Sequence, residues 1–252
     1  MLKKIEIIPI YINININPKL NLLDILLESI KNNNQIIKNG DIIVIAQKII
    51  SKNEGRSIYL NNIIPSSRSI ELGKKINKDP RIVELILQES RKIVRVFNNI
   101  IITETLHGFI CANAGIDQSN VSKSKNRVLL LPKDPDKSAD SIRKEIYEKT
   151  RKNIAVLISD TFGRPFRIGQ TNVAIGIAGI NPLKNYIGKR DMFGKIMKVT
   201  EIAIVDEIAG AAELVMGKSE GIPVAIVRNA IYSKHHSSIK KIVRKESRDI
   251  FR

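Results

Sequence analysis

The segment SDTFGRPFRIGQTN, residues 159–172, leaves an apolar run with an aspartate and a threonine side by side. Asp160 and Thr161 form a hard-oxygen pair of the kind that holds Mg2+ beside phosphates. Arg164 and Arg167 follow in a Gly-Arg-Pro loop. They can neutralise charge developing on a transferred phosphoryl group, which makes Arg164 the candidate catalytic residue. A second acid, Asp117, stands in HGFICANAGIDQSN directly after an Ala-Gly-Ile turn, with Asn120 three residues on. An aspartate after a glycine is more often a turn former than a ligand, so both readings stand for Asp117 at this level.

Two further polar clusters flank apolar runs. AQKIISKNEGR, residues 46–56, brings Gln47, Lys48, Lys52 and Arg56 out of a buried strand, either as an anion clamp or as a solvated strand end. VMGKSEGIP, residues 215–223, contains Gly-Lys-Ser without being a P-loop. Position 212 is Ala where that motif needs glycine, and the tripeptide closes a helix instead of opening one. A glycine-flanked loop there can still turn backbone N–H groups towards a nucleotide. His107, His235 and His236 lack the spacing and cysteine partners of a zinc site. Cys111, the single cysteine, reads as a small packed hydrophobe. No Gly-x-Ser-x-Gly or Cys/His nucleophile is visible, so carboxylates and cations together point to metal-assisted phosphoryl chemistry.

The elements that must hold these groups can be read from periodicity. Strands are expected at residues 5–12, 42–50, around Val94, Ile101 and Phe109, at 154–158, 173–180 and 224–227. Helices are expected over 22–30 with Asn21 as N-cap, from Pro80 to about Glu89 behind an Asp79 cap, from about Ser138, and over 202–216 with Gly217 closing it. Strands and helices mix without strict alternation, which favours α+β over a doubly wound sheet.

The chain has 252 residues, enough for one large domain or two small lobes, and a net charge of +17. Such a balance suits nucleic acid or a polyanionic small substrate equally. The bases are spread along the chain, aromatics are 4% and tryptophan is absent, so a base-stacking platform is poorly supplied. No apolar run spans a membrane, no signal peptide is evident, and a cytoplasmic protein without a membrane partner is the simplest expectation.

Taken together, GDIIVIAQKIISKNEGR, HGFICANAGIDQSNV, LLPKDPDKSADSIR, SDTFGRPFRIGQTNVAIGIAGI, GKRDMFGK and VTEIAIVDEIAGAAELVMGKSEGIPVAIVRN resemble the GTP-dependent coenzyme F420-0:L-glutamate ligases. The resemblance covers residues 40–229, is weakest over 1–39 and 230–252, and is that of a single domain over 1–252. It implies an unusual α+β ligase-family fold of mixed sheets with helices, built as two intimately associated lobes and forming homodimers. It also implies amide ligation of L-glutamate to the lactate carboxylate of the deazaflavin F420 precursor, then of γ-linked glutamate. The carboxylate is activated by GTP as an acyl phosphate, and GDP and phosphate are released. Mg2+ or Mn2+ at two sites and K+ would assist. Matching positions make Asp117 and Asp160 ligands of the first metal and Thr161 a ligand of the second. Gln47, Lys48, Lys52, Asn120 and the loop Met216, Gly217, Lys218, Ser219, Glu220, Gly221 and Ile222 become nucleotide contacts. So does the segment Asn13, Ile14, Asn15 and Ile16, although its usual Gly-Leu-Pro signature is missing. Lys218 departs from relatives that carry a second-metal glutamate here, and an ammonium cannot ligate a cation. Glu220 swings in, water fills the place, or the second metal binds weakly. Two rivals remain: a nucleic-acid-binding protein, and a related amide ligase with another carboxylate acceptor.

Overall fold

The computed structural model describes residues 3–118 and 126–249. In chain order, β1 (Glu6–Ile10), α1 (Leu22–Asn32), β2 (Ile42–Ala46) and α2 (Gln47–Asn53) come first. Next are β3 (Ser57–Tyr59), α3 (Ser67–Ile76), α4 (Pro80–Gln88), β4 (Ser90–Phe97), β5 (Ile100–Thr105), β6 (Ile110–Ala112) and β7 (Arg127–Leu129). Then α5 (Pro135–Thr150), β8 (Ala155–Arg164), β9 (Arg167–Ala178), β10 (Lys184–Asn185), β11 (Glu201–Ile202), α6 (Ile204–Met216) and β12 (Val224–Arg228) complete the chain.

The expected mixed α and β architecture is present. A five-stranded sheet in the order β1-β12-β2-β8-β9 forms its centre, with β2 and β8 parallel and every other neighbour antiparallel. Ile42, Ile43, Val44 and Ile45 are all fully buried, as a central strand covered on both faces requires. Helix α5 packs along β8 and β9, and α6 crosses β9, β12 and β1. A second core gathers Leu60, Ile76, Val83, Ile86, Ile101, Val128 and Leu130 from α3, α4 and the smaller sheets.

Several boundaries differ from the expectation: β8 runs on to Arg164 where a strand over 154–158 is expected, and β9 begins at Arg167 where one over 173–180 is expected. The strand expected over 42–50 stops at Ala46, and Gln47 begins a helix. The Ser51 hydroxyl donates to Gln47 Oε1 at 2.8 Å, an i to i+4 contact available only on a helix, and Ile49 and Ile50 bury on its inner side. Helix α5 starts at Pro135, ahead of Ser138, because the Asp134 carboxylate accepts from the Lys137 N–H and Pro135 supplies the first helical φ.

At the end of the sheet away from the cleft described below, Arg228 meets Asp41. Its Nε and Nη2 donate to the two carboxylate oxygens at 2.9 Å each, and Nη2 also donates to the Ile36 carbonyl. The side chains are only 9% and 1% exposed. The basic tail is latched by Asp136, whose carboxylate accepts from the Ile177 N–H, the Ser238 hydroxyl and the Ile239 N–H. Removing one partner of a buried pair strands the other charge. Asp41→Ala is therefore expected to destabilise the fold by about 3–5 kcal/mol, read as a lowered urea midpoint. An unchanged midpoint would show the pair to be dispensable.

Candidate functional site

Parallel pairing sets Ala46, the last residue of β2, opposite Ser159 of β8. Gln47 and Lys48 follow β2, while Asp160 and Thr161 lie on β8 just past the end of that pairing, where the strand continues beside β9 alone. Antiparallel β12 starts there as well, with Val224 opposite Ile45, which brings in the loop that follows α6. β1 ends there, since Ile10 pairs with Val224, and the Ile12 N–H donates to the Gly221 carbonyl at 3.3 Å. These ends wall a cleft of about 410 Å³.

Asp117 follows Ile116, a member of the second core. Its N–H and C=O exchange hydrogen bonds with Leu129 at 2.9 and 2.8 Å, in an antiparallel bridge. The preceding turn runs Asn113, Ala114 and Gly115 through positive φ. A Cβ on Gly115 would sit 2.9 Å from the Leu131 side chain, so the turn that aims Asp117 needs glycine there.

Asp117 and Asp160 both line the cleft. Burial pushes the Asp160 carboxyl up to about 7, and the Asp117 charge adds to that, against the Thr161 N–H and the ammonium groups of Lys218 and Lys48. The Thr161 N–H donates to Asp160 Oδ1 at 2.8 Å. The Ser159 hydroxyl is buried in the cleft wall with no partner among the described residues. A buried carboxylate short of positive charge and an orphaned hydroxyl facing one cleft fit a ligand that brings a cation and acceptor oxygens. Among the described residues no three His, Cys, Asp or Glu side chains gather into a metal cage.

Lys52 sits behind Lys48. Burial first, then repulsion from Lys48, lowers its pKa, while Asp117 works the other way. Cys111 lines the cleft, but burial and the Asp160 charge push its thiol up to about 12, so it packs as a neutral hydrophobe. Arg56 does not join the expected anion clamp. It donates to Glu89 Oε2 at 2.7 Å and the Leu131 carbonyl at 2.9 Å, and so ties the segment between α2 and β3 to the end of α4 and the chain beyond β7. Arg164 lies at the exposed tip of the β8–β9 hairpin, outside the cleft wall, because β8 runs on past Asp160 as an extended strand. Of the N-terminal segment, Asn13, Ile14 and Asn15 are exposed, Ile16 is buried, and the cleft wall is the neighbouring Ile12. Met216, Gly217, Lys218, Gly221 and Ile222 line the cleft, whereas Ser219 and Glu220 do not. Asn120 lies outside the described residues.

Two wall residues escaped the sequence reading. Asn172 is buried on β9, where its Oδ1 accepts from the Thr161 hydroxyl at 2.7 Å. Glu213 accepts from the Asn172 amide at 2.7 Å and pairs with Lys218 at 2.6 Å. One signal was available: an acid in the last turn of a helix opposes the macrodipole, and so calls for a nearby cation.

The raised Asp160 pKa has a thermodynamic sign. Its folded value lies above the unfolded one, so the metal-free fold loses stability as pH rises from about 4 through 7. Asp160→Asn is therefore expected to raise the urea midpoint in chelator at pH 8 by a few kcal/mol equivalent and leave it nearly unchanged near pH 4. The opposite order would mean that the lysines hold the carboxylate ionised.

The family model described as F420-0:Gamma-glutamyl ligase matches residues 12–229. A coenzyme F420:L-glutamate ligase of Methanocaldococcus jannaschii is 50% identical over 217 residues, covering 86% of each chain. Proteins of the same description from Methanothermobacter thermautotrophicus and Methanopyrus kandleri are 43% and 40% identical. The first covers 90% of this chain and 91% of its own, the second 100% and 99%.

Proposed function

The chain belongs to the F420-0:gamma-glutamyl ligase family, and on that premise we propose that it joins L-glutamate to the F420 precursor by spending GTP. The observation that carries this reading is the meeting of Asp117 and Asp160 in one cleft, beside Lys48 and Lys218.

The reaction makes an amide from a carboxylate, which needs its oxygen turned into a leaving group. The precursor carboxylate attacks the γ-phosphorus of GTP, giving an acyl phosphate and GDP. The glutamate amine then attacks the acyl carbon, a proton leaves the nitrogen, and phosphate departs. Asp117 and Asp160 would hold a divalent ion, which would supply charge neutralisation to the phosphate oxygens. Lys48 and Lys52 present ammonium groups from one helix face, since they stand four residues apart. Lys218 adds a third from the loop across the cleft. Catalysis of this kind is mainly positioning and electrostatics. Gly221 keeps the loop close: its φ is +71°, and a Cβ there would sit 2.7 Å from the Tyr11 ring.

The working form is a homodimer. Ile168 at the hairpin tip is 99% exposed, and Met192 and Phe193 in the segment between β10 and β11 are 89% and 87% exposed. Large apolar side chains presented this fully support a partner surface. Ile168→Glu combined with Phe193→Glu is expected to move the protein to monomer mass in light scattering. A wild type that is already monomeric removes the dimer.

The activity test combines GTP, L-glutamate and precursor, and follows GDP release and product mass. GDP is expected only when all three are present, with a product heavier by one glutamyl residue. Asp117→Asn and Asp160→Asn are each expected to lower turnover by roughly 100-fold or more while the circular dichroism spectrum is retained. Full turnover in either variant takes that residue out of the site. Turnover with an unrelated carboxylate and none with the precursor would establish the other amide ligase. Salt-sensitive binding to DNA or RNA with no GDP release would establish the nucleic-acid reading.

A further inference from the structure

A second divalent ion, which family resemblance places at Thr161, does not fit the residues around that threonine. The Lys218 Nζ donates to Thr161 Oγ1 at 2.6 Å and pairs with Glu213 Oε1 at 2.6 Å. It also reaches Asn172 Oδ1 at 3.5 Å. The Thr161 hydroxyl hydrogen is donated to Asn172 Oδ1 at 2.7 Å, and the Asn172 amide donates to Glu213 Oε2 at 2.7 Å. Ammonium, hydroxyl, amide and carboxylate thus close a ring of donors and acceptors. A cation at Thr161 Oγ1 would have only the second lone pair of the hydroxyl, since the first accepts from Lys218. At the 2.0–2.1 Å typical of Mg2+, or the slightly longer distance of a larger ion, it would crowd the ammonium with like charge.

We propose that the Lys218 ammonium is a built-in substitute for the second metal ion, held by Thr161, Asn172 and Glu213, so that this chain works with one divalent ion. Three oxygen donors of the hard type that would otherwise collect Mg2+ or Mn2+ are spent on a cation that is covalently attached. Glu220 is not a substitute ligand here. Its carboxylate accepts from the N–H and hydroxyl of Ser219, folded back beside Gly217. The ammonium lies near Asp160, whose carboxyl it helps to keep ionised, so its charge is available to phosphate oxygens entering the cleft. The proposal rests on the reading that Asp117 and Asp160 hold the first ion.

The test counts bound Mn2+ by loss of the free-ion electron paramagnetic resonance signal, with no nucleotide present. Removing the ammonium vacates the oxygen cluster, so Lys218→Ala is expected to bind one more Mn2+ per chain than the wild type. Adding Glu213→Gln to it is expected to remove that extra ion. Lys218 is more than half exposed on a loop, and Lys218→Met offers a second, bulkier replacement with no ligating atom of comparable hardness. Equal counts for wild type and both lysine variants, with folding confirmed by circular dichroism, overturn the proposal. So does a wild type that binds two ions with Mn–Mn coupling. A wild type that binds none overturns the Asp117–Asp160 reading instead. The two failures are told apart because the gain on removing Lys218 is counted separately from the starting number.

Discussion

Parallel pairing of β2 with β8 is the constraint on which everything else depends. Two parallel strands run in the same direction, and their register, Ala46 against Ser159, sets the end of β2 beside the point where Asp160 follows on β8. That alone delivers Lys48 and Asp160 to a common edge. Antiparallel β12 then has to begin where β2 ends, which fixes the entry of the loop carrying Lys218. The site is thus a consequence of strand direction, and the buried isoleucines and valines of the sheet hold that direction in place.

Charge in the cleft is balanced by groups of unlike origin. Asp160 is buried enough that its carboxyl is pushed up to about 7, and Asp117, carried in by an antiparallel bridge, worsens the deficit. Lys48, Lys52 and Lys218 offset it from two sides. The surplus of basic residues in the chain is not concentrated there. Part of it is structural, as Arg56 holding Glu89 and Arg228 holding Asp41 demonstrate.

The acids of the cleft wall were legible because they sit beside local signals, the end of an apolar run for Asp160 and a glycine turn for Asp117. Most strands and helices were legible for the same reason: their periodicity and caps are local. What the sequence hid was tertiary. Arg56 looked like a member of a basic cluster until its partner, thirty-three positions away, took it up. Arg164 looked like a neighbour of Asp160 until β8 proved long enough to carry it to an exposed tip. Glu213 and Lys218 lie five positions apart, yet their pairing depends on how the chain turns back after α6. Gln47 was read as the continuation of a strand, because an apolar pair after it suits either element. The helix is settled by its side-chain bond to Ser51.

The Asp41–Arg228 pair and the cleft occupy opposite ends of the same two strands. Five residues of strand span about 17 Å, beyond the roughly 7–10 Å within which changes at two sites usually couple. The lock that resists unfolding and the field that meets the substrate are therefore nearly independent quantities. A cleft residue such as Lys218 can change without drawing on the reserve of stability stored at the far pole. In this chain tolerance to innovation has an address: it begins where β2 ends.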